Sequence, residues 1–187
     1  MTFSGSVEGH ERLRLFLGFA LPATTVRDVA RWQDQTLGAP AGARIVPDAN
    51  MHVTIAFLGS RPSDELESIA TVLRAAVEGV APPVLTPVRY RETRSVGMLV
   101  FDDEGGRAAR IAQAAHGGLE GLGVYEPERR PWLPHLTVVR FREQPRLRPP
   151  IPELGAVTLS DAAVYISRLR PTGAQYEVVE SVPLGGG

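Results

Sequence analysis

Two short stretches of the chain carry the same pattern, His52-Val53-Thr54-Ile55 and His135-Leu136-Thr137-Val138, set 83 positions apart. On a β-strand successive side chains alternate between faces, so each stretch sends its His and Thr one way and its aliphatic residues the other. With four histidines in 187 residues, two such His-x-Thr pairs arise in roughly 2% of shuffled chains of this composition. The repeat therefore reads as an internal duplication. Chemically, a neutral imidazole takes a proton and an imidazolium gives one, and both forms exist near neutral pH. Two of them flanking one phosphate can activate water on one side and protonate a leaving oxygen on the other, without a metal. A threonine two positions on can donate its hydroxyl to a non-bridging phosphate oxygen without adding charge. The alternative is structural: two strands, each with a buried histidine satisfied by a nearby backbone carbonyl.

Such a pair needs two strands that meet. Leu15 to Leu21 reads as a buried strand ended by Pro22, and a helix follows to about Leu37 with Val26, Val29, Ala30 and Leu37 on one face. Met51 to Leu58 is the strand of the first motif, and Ser63 offers a cap to a helix with Leu66, Ile69, Ala70, Leu73 and Val77 at helical spacing. Beyond Pro82-Pro83 come strands at about 84–91 and 95–102, a helix from about Gly106 to Leu122, a loop over 127–134 and the second motif strand at 135–141. Val157 to Leu169 and Tyr176 to Val182 close the set as a hairpin-like pair around Pro171-Thr172-Gly173. Several strand-to-strand links are too short for a crossover helix, which predicts an α+β fold with mainly antiparallel sheet. Residues 1–12 read as a flexible tail, and 13–183 as a single domain.

Composition removes whole reaction classes. There is no cysteine, hence no disulfide, cysteine nucleophile or thiolate metal site. All 20 basic residues are arginine, so Schiff-base chemistry, a P-loop lysine and a lysyl-nucleotide ligase intermediate are closed to the chain. The net charge of −1 is not that of a protein that coats nucleic acid, so any RNA contact must be local. The apolar run Leu15 to Leu21 follows two glutamates and falls far short of the roughly 20 residues of a membrane span. A cytoplasmic monomer with no membrane association is expected.

The chain resembles the RNA 2′,3′-cyclic phosphodiesterases, also called 2′-5′ RNA ligases, of the two-histidine phosphoesterase superfamily. The anchors are Arg14-Leu15-Phe16 with Leu21-Pro22, Met51 to Gly59, Pro134 to Phe141, and Ser167-Arg168-Leu169 followed by Tyr176-Glu177-Val178. The resemblance implies two similar lobes with antiparallel sheets and flanking helices, related by a pseudo-twofold around a central cleft. It also implies His52 as proton donor to the leaving 3′ oxygen and His135 as proton acceptor from water, with Thr54 and Thr137 on the substrate phosphate. No metal and no cofactor is implied, and the expected partner is RNA ending in a 2′,3′-cyclic phosphate. Because such a diester is strained and its opening reversible, the same site could join that end to a 5′-hydroxyl.

Two further residues carry expectations. Arg140 fits the family's His-x-Thr-x-x-Arg extension as a phosphate or backbone ligand. Strict alternation sends it to the face opposite His135, so the reading requires a bulge or a long reach. Phe16 is a base-stacking candidate by resemblance and a core residue by its place in a buried strand. His116 and His10 have no partner at metal-ligand spacing and read as solvated. The arginines of 129–130 and 142–148 read as a positive rim or as solvated loops. Two other functions fit the same residues: a phosphodiesterase acting on a small cyclic phosphate, and a non-catalytic RNA- or nucleotide-binding module.

Overall fold

The computed structural model describes residues 11–38, 42–171 and 173–185. The expected tail falls mostly on residues 1–10, outside the described residues. Arg12, read as part of that tail, already pairs with Pro62 in the first strand. Nine strands, β1 (Arg12–Ala20), β2 (Ala43–Ile45), β3 (His52–Pro62), β4 (Val84–Glu92), β5 (Val96–Asp103), β6 (His135–Phe141), β7 (Val157–Thr158), β8 (Asp161–Arg170) and β9 (Gly173–Pro183), form one curled antiparallel sheet. Among the described residues three α-helices accompany it, α1 (Ala23–Thr36), α2 (Leu66–Val77) and α3 (Arg107–Gly121).

The strand order is β7-β4-β5-β6-β3-β1-β8-β9, with β2 added against β6. The two central strands carry the two His-x-Thr motifs, and they are joined by a single residue pair, Val53 with Leu136. On either side of that seam lies a half built alike. In one, β1 leads through α1 to the motif strand β3, antiparallel to it; in the other, β5 leads through α3 to β6, again antiparallel. The fold is α+β, with two similar lobes meeting at the duplicated motif.

Burial explains the layering. Val53 and Leu136, with Ile69 and Leu73 of α2 and Ile111 and Ala115 of α3, form one core. Its face of the sheet is closed by helices whose apolar residues recur every three or four positions. On the other face the aliphatic residues give way to His, Thr, Tyr and Arg, leaving a cleft.

The strand expected over Val157 to Leu169 is two strands in different halves. β7 pairs with β4, while β8 pairs with β1. The Leu159 amide donates to the Pro83 carbonyl and Ser160 accepts from Leu184, so the chain crosses between halves within two residues. Apolar and polar residues alternate through Val157-Thr158-Leu159-Ser160 as they would along one strand, which conceals such a break. Ser63 also differs from expectation: it lies in a 3-10 turn ahead of α2, and no side chain caps that helix.

Candidate active site

Antiparallel pairing through Val53 and Leu136 puts His52 opposite Thr137 and Thr54 opposite His135. The pleat turns Val53 and Leu136 into the core, where they are 0% and 1% exposed, and turns the other four out onto the cleft face. All four are partly exposed. The sheet thus brings together the four residues that the repeat singles out.

Both imidazoles are held in one way. His52 Nδ1 donates to the Asn50 carbonyl and His135 Nδ1 to the Leu133 carbonyl, each at 2.8 Å. A carbonyl oxygen only accepts, so the shared proton sits on Nδ1 and each Nε2 is left for the cleft. His52 Nε2 lies 3.1 Å from Thr54 Oγ1, a hydroxyl that donates to the neutral ring and accepts from the charged one. Beneath the ring Gly18 leaves room for a close approach, since a Cβ there would meet His52 Cδ2 at 3.2 Å and the Val53 carbonyl oxygen at 3.3 Å and push the ring by a few tenths of an ångström. A glycine inside an apolar strand marks such an approach.

Burial is the first cause that draws the His52 pKa from 6.5 down to about 4. The bond to Asn50 opposes it, and the nearby charges of Arg140 and His135 reinforce it. Between those two values the unfolded chain holds more proton at this position than the folded protein does, so stability falls as pH falls through that window. On acidification from pH 6.5 to 4, the protein should lose stability faster than its His52→Gln variant in urea denaturation followed by circular dichroism. Parallel losses would mean that His52 titrates as it would in water.

A β-bulge decides the reach of Arg140. Met98 pairs with Thr137 and the next pair is Gly97 with Val139, leaving Val138 unopposed. The extra residue reverses the alternation, and Arg140 returns to the cleft, where it lines a cavity with His52 and Thr137. The other motif has its bulge at the same place: Gly18 pairs with Thr54, Leu17 with Ala56, and Ile55 is left over. Phe57 occupies the position equivalent to Arg140 and is 51% exposed.

Each bulge has its own clamp. Buried Gln33 of α1 donates to the carbonyls of Val138 at 2.8 Å and Val46 at 3.1 Å. His116 of α3 donates from Nε2 to the Ile55 carbonyl at 2.8 Å, and the Trp132 indole N–H to the Thr54 carbonyl at 3.0 Å. His116 is therefore not the solvated residue that its spacing suggested; it is half-buried and stacked on Tyr125. Gln33 was legible as an oddity, a polar residue on the apolar stripe of Val26, Val29 and Leu37.

Phe16 has no face left for a base. It is 1% exposed, stacked on Tyr165 and packed 4.7 Å from the His52 ring, so its place is under the histidine, and the base-stacking expectation is corrected. The partly exposed aromatic beside it is Tyr176, 4.8 Å from Phe16 and a wall of the His52 cavity. That cavity, about 320 Å³, also holds Arg44 and Asn50. Arg44 is directly opposite Arg140 in the β2–β6 ladder, and among the described residues neither has an acidic partner within ion-pair distance. Facing cations repel, and an anion between them would remove the repulsion. Sequence reasoning missed Arg44 because β2 is only three residues long. The Asn50 amide bonds to the Ala174 carbonyl at 2.8 Å, tying β9 to the turn that holds His52.

His135 opens on the other side of the motif pair, onto a groove shared with Thr54, Phe57, Arg130 and Trp132. The expected rim of arginines at 142–148 is not part of either cavity. It is anchored elsewhere, with the Arg146 and Leu147 amides donating to Glu92. Among the described residues, no three His, Asp or Glu side chains are grouped to hold a metal ion, and no helix is long and apolar enough to cross a membrane.

The family model for LigT like phosphoesterase matches residues 19–87, a span that holds the first motif. An RNA 2′,3′-cyclic phosphodiesterase of Thermus thermophilus is 30% identical over 194 aligned positions, covering 93% of this chain and 91% of its own length. The chain belongs to the RNA 2′,3′-cyclic phosphodiesterase family. A second such phosphodiesterase, from Methanothermobacter thermautotrophicus, is 28% identical over 90% of this chain and 97% of its own. The crystal structure of TT0787 of T. thermophilus superposes with a TM-score of 0.79 at 27% identity, covering 93% of this chain and 99% of that one. E. coli LigT complexed with 3′-AMP gives 0.81 at 20% identity over 94% and 100% of the two chains, a likeness of fold.

Proposed function

We propose that this protein opens 2′,3′-cyclic phosphates at RNA ends by proton transfer between His52 and His135, leaving a 2′-phosphate. The observation that carries the reading is the seam of the sheet, where two Nδ1-anchored imidazoles stand on one face, His52 in a cavity with the facing arginines Arg44 and Arg140 and His135 in the groove on the other side of the motif pair. The names of its relatives supply RNA as the substrate class.

In this reading the phosphate sits between the motifs. His135 takes a proton from water as its oxygen attacks phosphorus; the bond from phosphorus to the 3′ oxygen breaks, and His52 gives that oxygen its proton. The hydroxyls of Thr54 and Thr137 donate to the non-bridging oxygens, and Arg140 with Arg44 balances their charge. His52 is neutral in the free protein, its pKa held at about 4 in part by Arg140. An anion between the two screens that cation and favours imidazolium, so the proton enters His52 with the substrate. Neither step uses a metal or a cofactor. With a 5′-hydroxyl in place of water the same movements make a 2′-5′ linkage, and no lysine is needed. Residues 13–183 would act as one unit, as a monomer in the cytoplasm.

The His52 cavity, about 320 Å³, is near the lower end of the size range of small-ligand sites, which favours a cyclic mononucleotide as a second substrate. Turnover of a cyclic-phosphate-ended oligonucleotide and of a cyclic mononucleotide, each in excess EDTA, tests the proposal. Both should be hydrolysed, the oligonucleotide with the higher kcat/KM. Loss of activity on chelation, restored by a divalent ion, would contradict the mechanism. A preference for the mononucleotide would make RNA the wrong substrate class, and binding without turnover would make the protein a binding module.

A further inference from the structure

We propose that Gln33, buried on α1 and outside the cleft, is a positioning residue that fixes the Arg44–Arg140 pair for the substrate phosphate. The proposal deepens the reading above and rests on its phosphate site.

Gln33 sits where packing alone would place an aliphatic side chain. It is 2% exposed, on the stripe of α1 that also carries Val29, and it lines neither cavity of the cleft. What it has and a leucine lacks is one nitrogen with two protons. These go to the carbonyls of Val46, at 3.1 Å, and Val138, at 2.8 Å. The Val138 oxygen also accepts from the Val46 amide at 3.0 Å, so both of its lone pairs are used.

The two carbonyls bracket the arginines. Val46 follows directly on β2, two positions after Arg44, and Val138 is the unopposed residue of the bulge, two positions before Arg140. β2 is held to β6 by only three residue pairs, one of them the two facing cations. Their repulsion in the free protein works to open that short ladder, and a carboxamide bridging its end opposes the opening. Gly97, opposite Val139 at the bulge, is a second provision, since a Cβ there would meet Val139 Cγ1 at 2.6 Å. Glycine makes room for the bulge and Gln33 fastens it. Without the bulge, alternation along β6 sends Arg140 to the face opposite the cleft.

Inorganic phosphate titrated by calorimetry reports the arginine pair without turnover, and hydrolysis of a cyclic mononucleotide reports it with turnover. Gln33→Leu keeps the bulk of the side chain and removes both donors. It should weaken phosphate binding about tenfold, the worth of one charge-assisted hydrogen bond, as should Arg140→Ala. The double variant should lose little more than Arg140→Ala alone, since Gln33 then has no pair left to space. In turnover KM should rise more than kcat falls, because the phosphate is already charged in the bound substrate. Gln33→His, whose ring N–H can hold one carbonyl as His116 holds that of Ile55, should recover part of the affinity. Val29→Ala empties a fully buried position on the same helix; it should lower the melting temperature and leave phosphate affinity unchanged. Gln33→Met, unbranched and also without a donor, replaces the leucine variant if that one does not fold. Wild-type phosphate affinity in the donorless variant, losses that multiply in the double variant, or an equal loss in Val29→Ala would overturn the proposal. If the wild type does not hydrolyse the cyclic mononucleotide, the proposed function fails, while calorimetry still decides the role of Gln33.

Discussion

Alanine at His52 or at His135 is expected to lower turnover of a cyclic-phosphate-ended oligonucleotide by roughly 10² to 10⁴, the usual worth of a positioned general acid or base. The fold should survive. Each ring is partly exposed and anchored through Nδ1 to a backbone carbonyl, His52 also meeting the Thr54 hydroxyl, whereas the core beneath is carried by Val53 and Leu136. Because the two imidazoles serve one reaction coordinate, the double variant should be little worse than the poorer single one. The wild-type kcat/KM should follow a bell in pH, with apparent values that belong to the pair. Its acid limb should lie below the ordinary histidine range, because the His52 pKa is drawn down to about 4. Single variants that fold and turn over at the wild-type rate would place the chemistry elsewhere. Variants that fail to fold would make the histidines structural.

Thr137→Val and Thr54→Val keep the shape of the side chain and remove its hydroxyl. A lost donor to a developing phosphate charge costs on the order of 10²-fold in kcat at a preorganised site. The two should not behave alike. Thr54 Oγ1 already bonds His52 Nε2, so its removal should also move the His52 titration, visible by NMR. Thr137 stands opposite His52 across the seam, and its loss should act on kcat alone. Serine at either position should restore most of the rate. Unchanged kinetics in both valine variants would reduce the threonines to strand formers.

The motif pair was legible because alternation needs only neighbouring residues: His, Thr and the aliphatic positions between them fall on the faces that a period of two assigns. The seam was not legible in the same way. Val53 and Leu136 are joined by the fold as a whole, and it was the resemblance that placed the two strands side by side. Arg140 marks the limit of local reading. Its return to the cleft depends on an unopposed Val138, whose carbonyl is held by Gln33 from a helix more than a hundred residues away. Phe16 fails for a related reason, since nothing in its own strand tells which aromatic will lie above the other, and Tyr176 covers the place assigned to it. The split after Thr158 is hidden because Val157-Thr158-Leu159-Ser160 alternates apolar and polar residues as a single strand would.

If the two histidines open the cyclic phosphate by releasing the 3′ oxygen, the position of the product phosphate records it. The measurement that tests it most directly is hydrolysis of a 2′,3′-cyclic-phosphate-ended oligoribonucleotide in ¹⁸O-labelled water, with the product phosphate mapped by position and by isotope. The expected product is a 2′-phosphate carrying one labelled oxygen, formed by the wild type and largely lost in His52→Ala and His135→Ala. A 3′-phosphate, or labelled product formed undiminished by either variant, would contradict it.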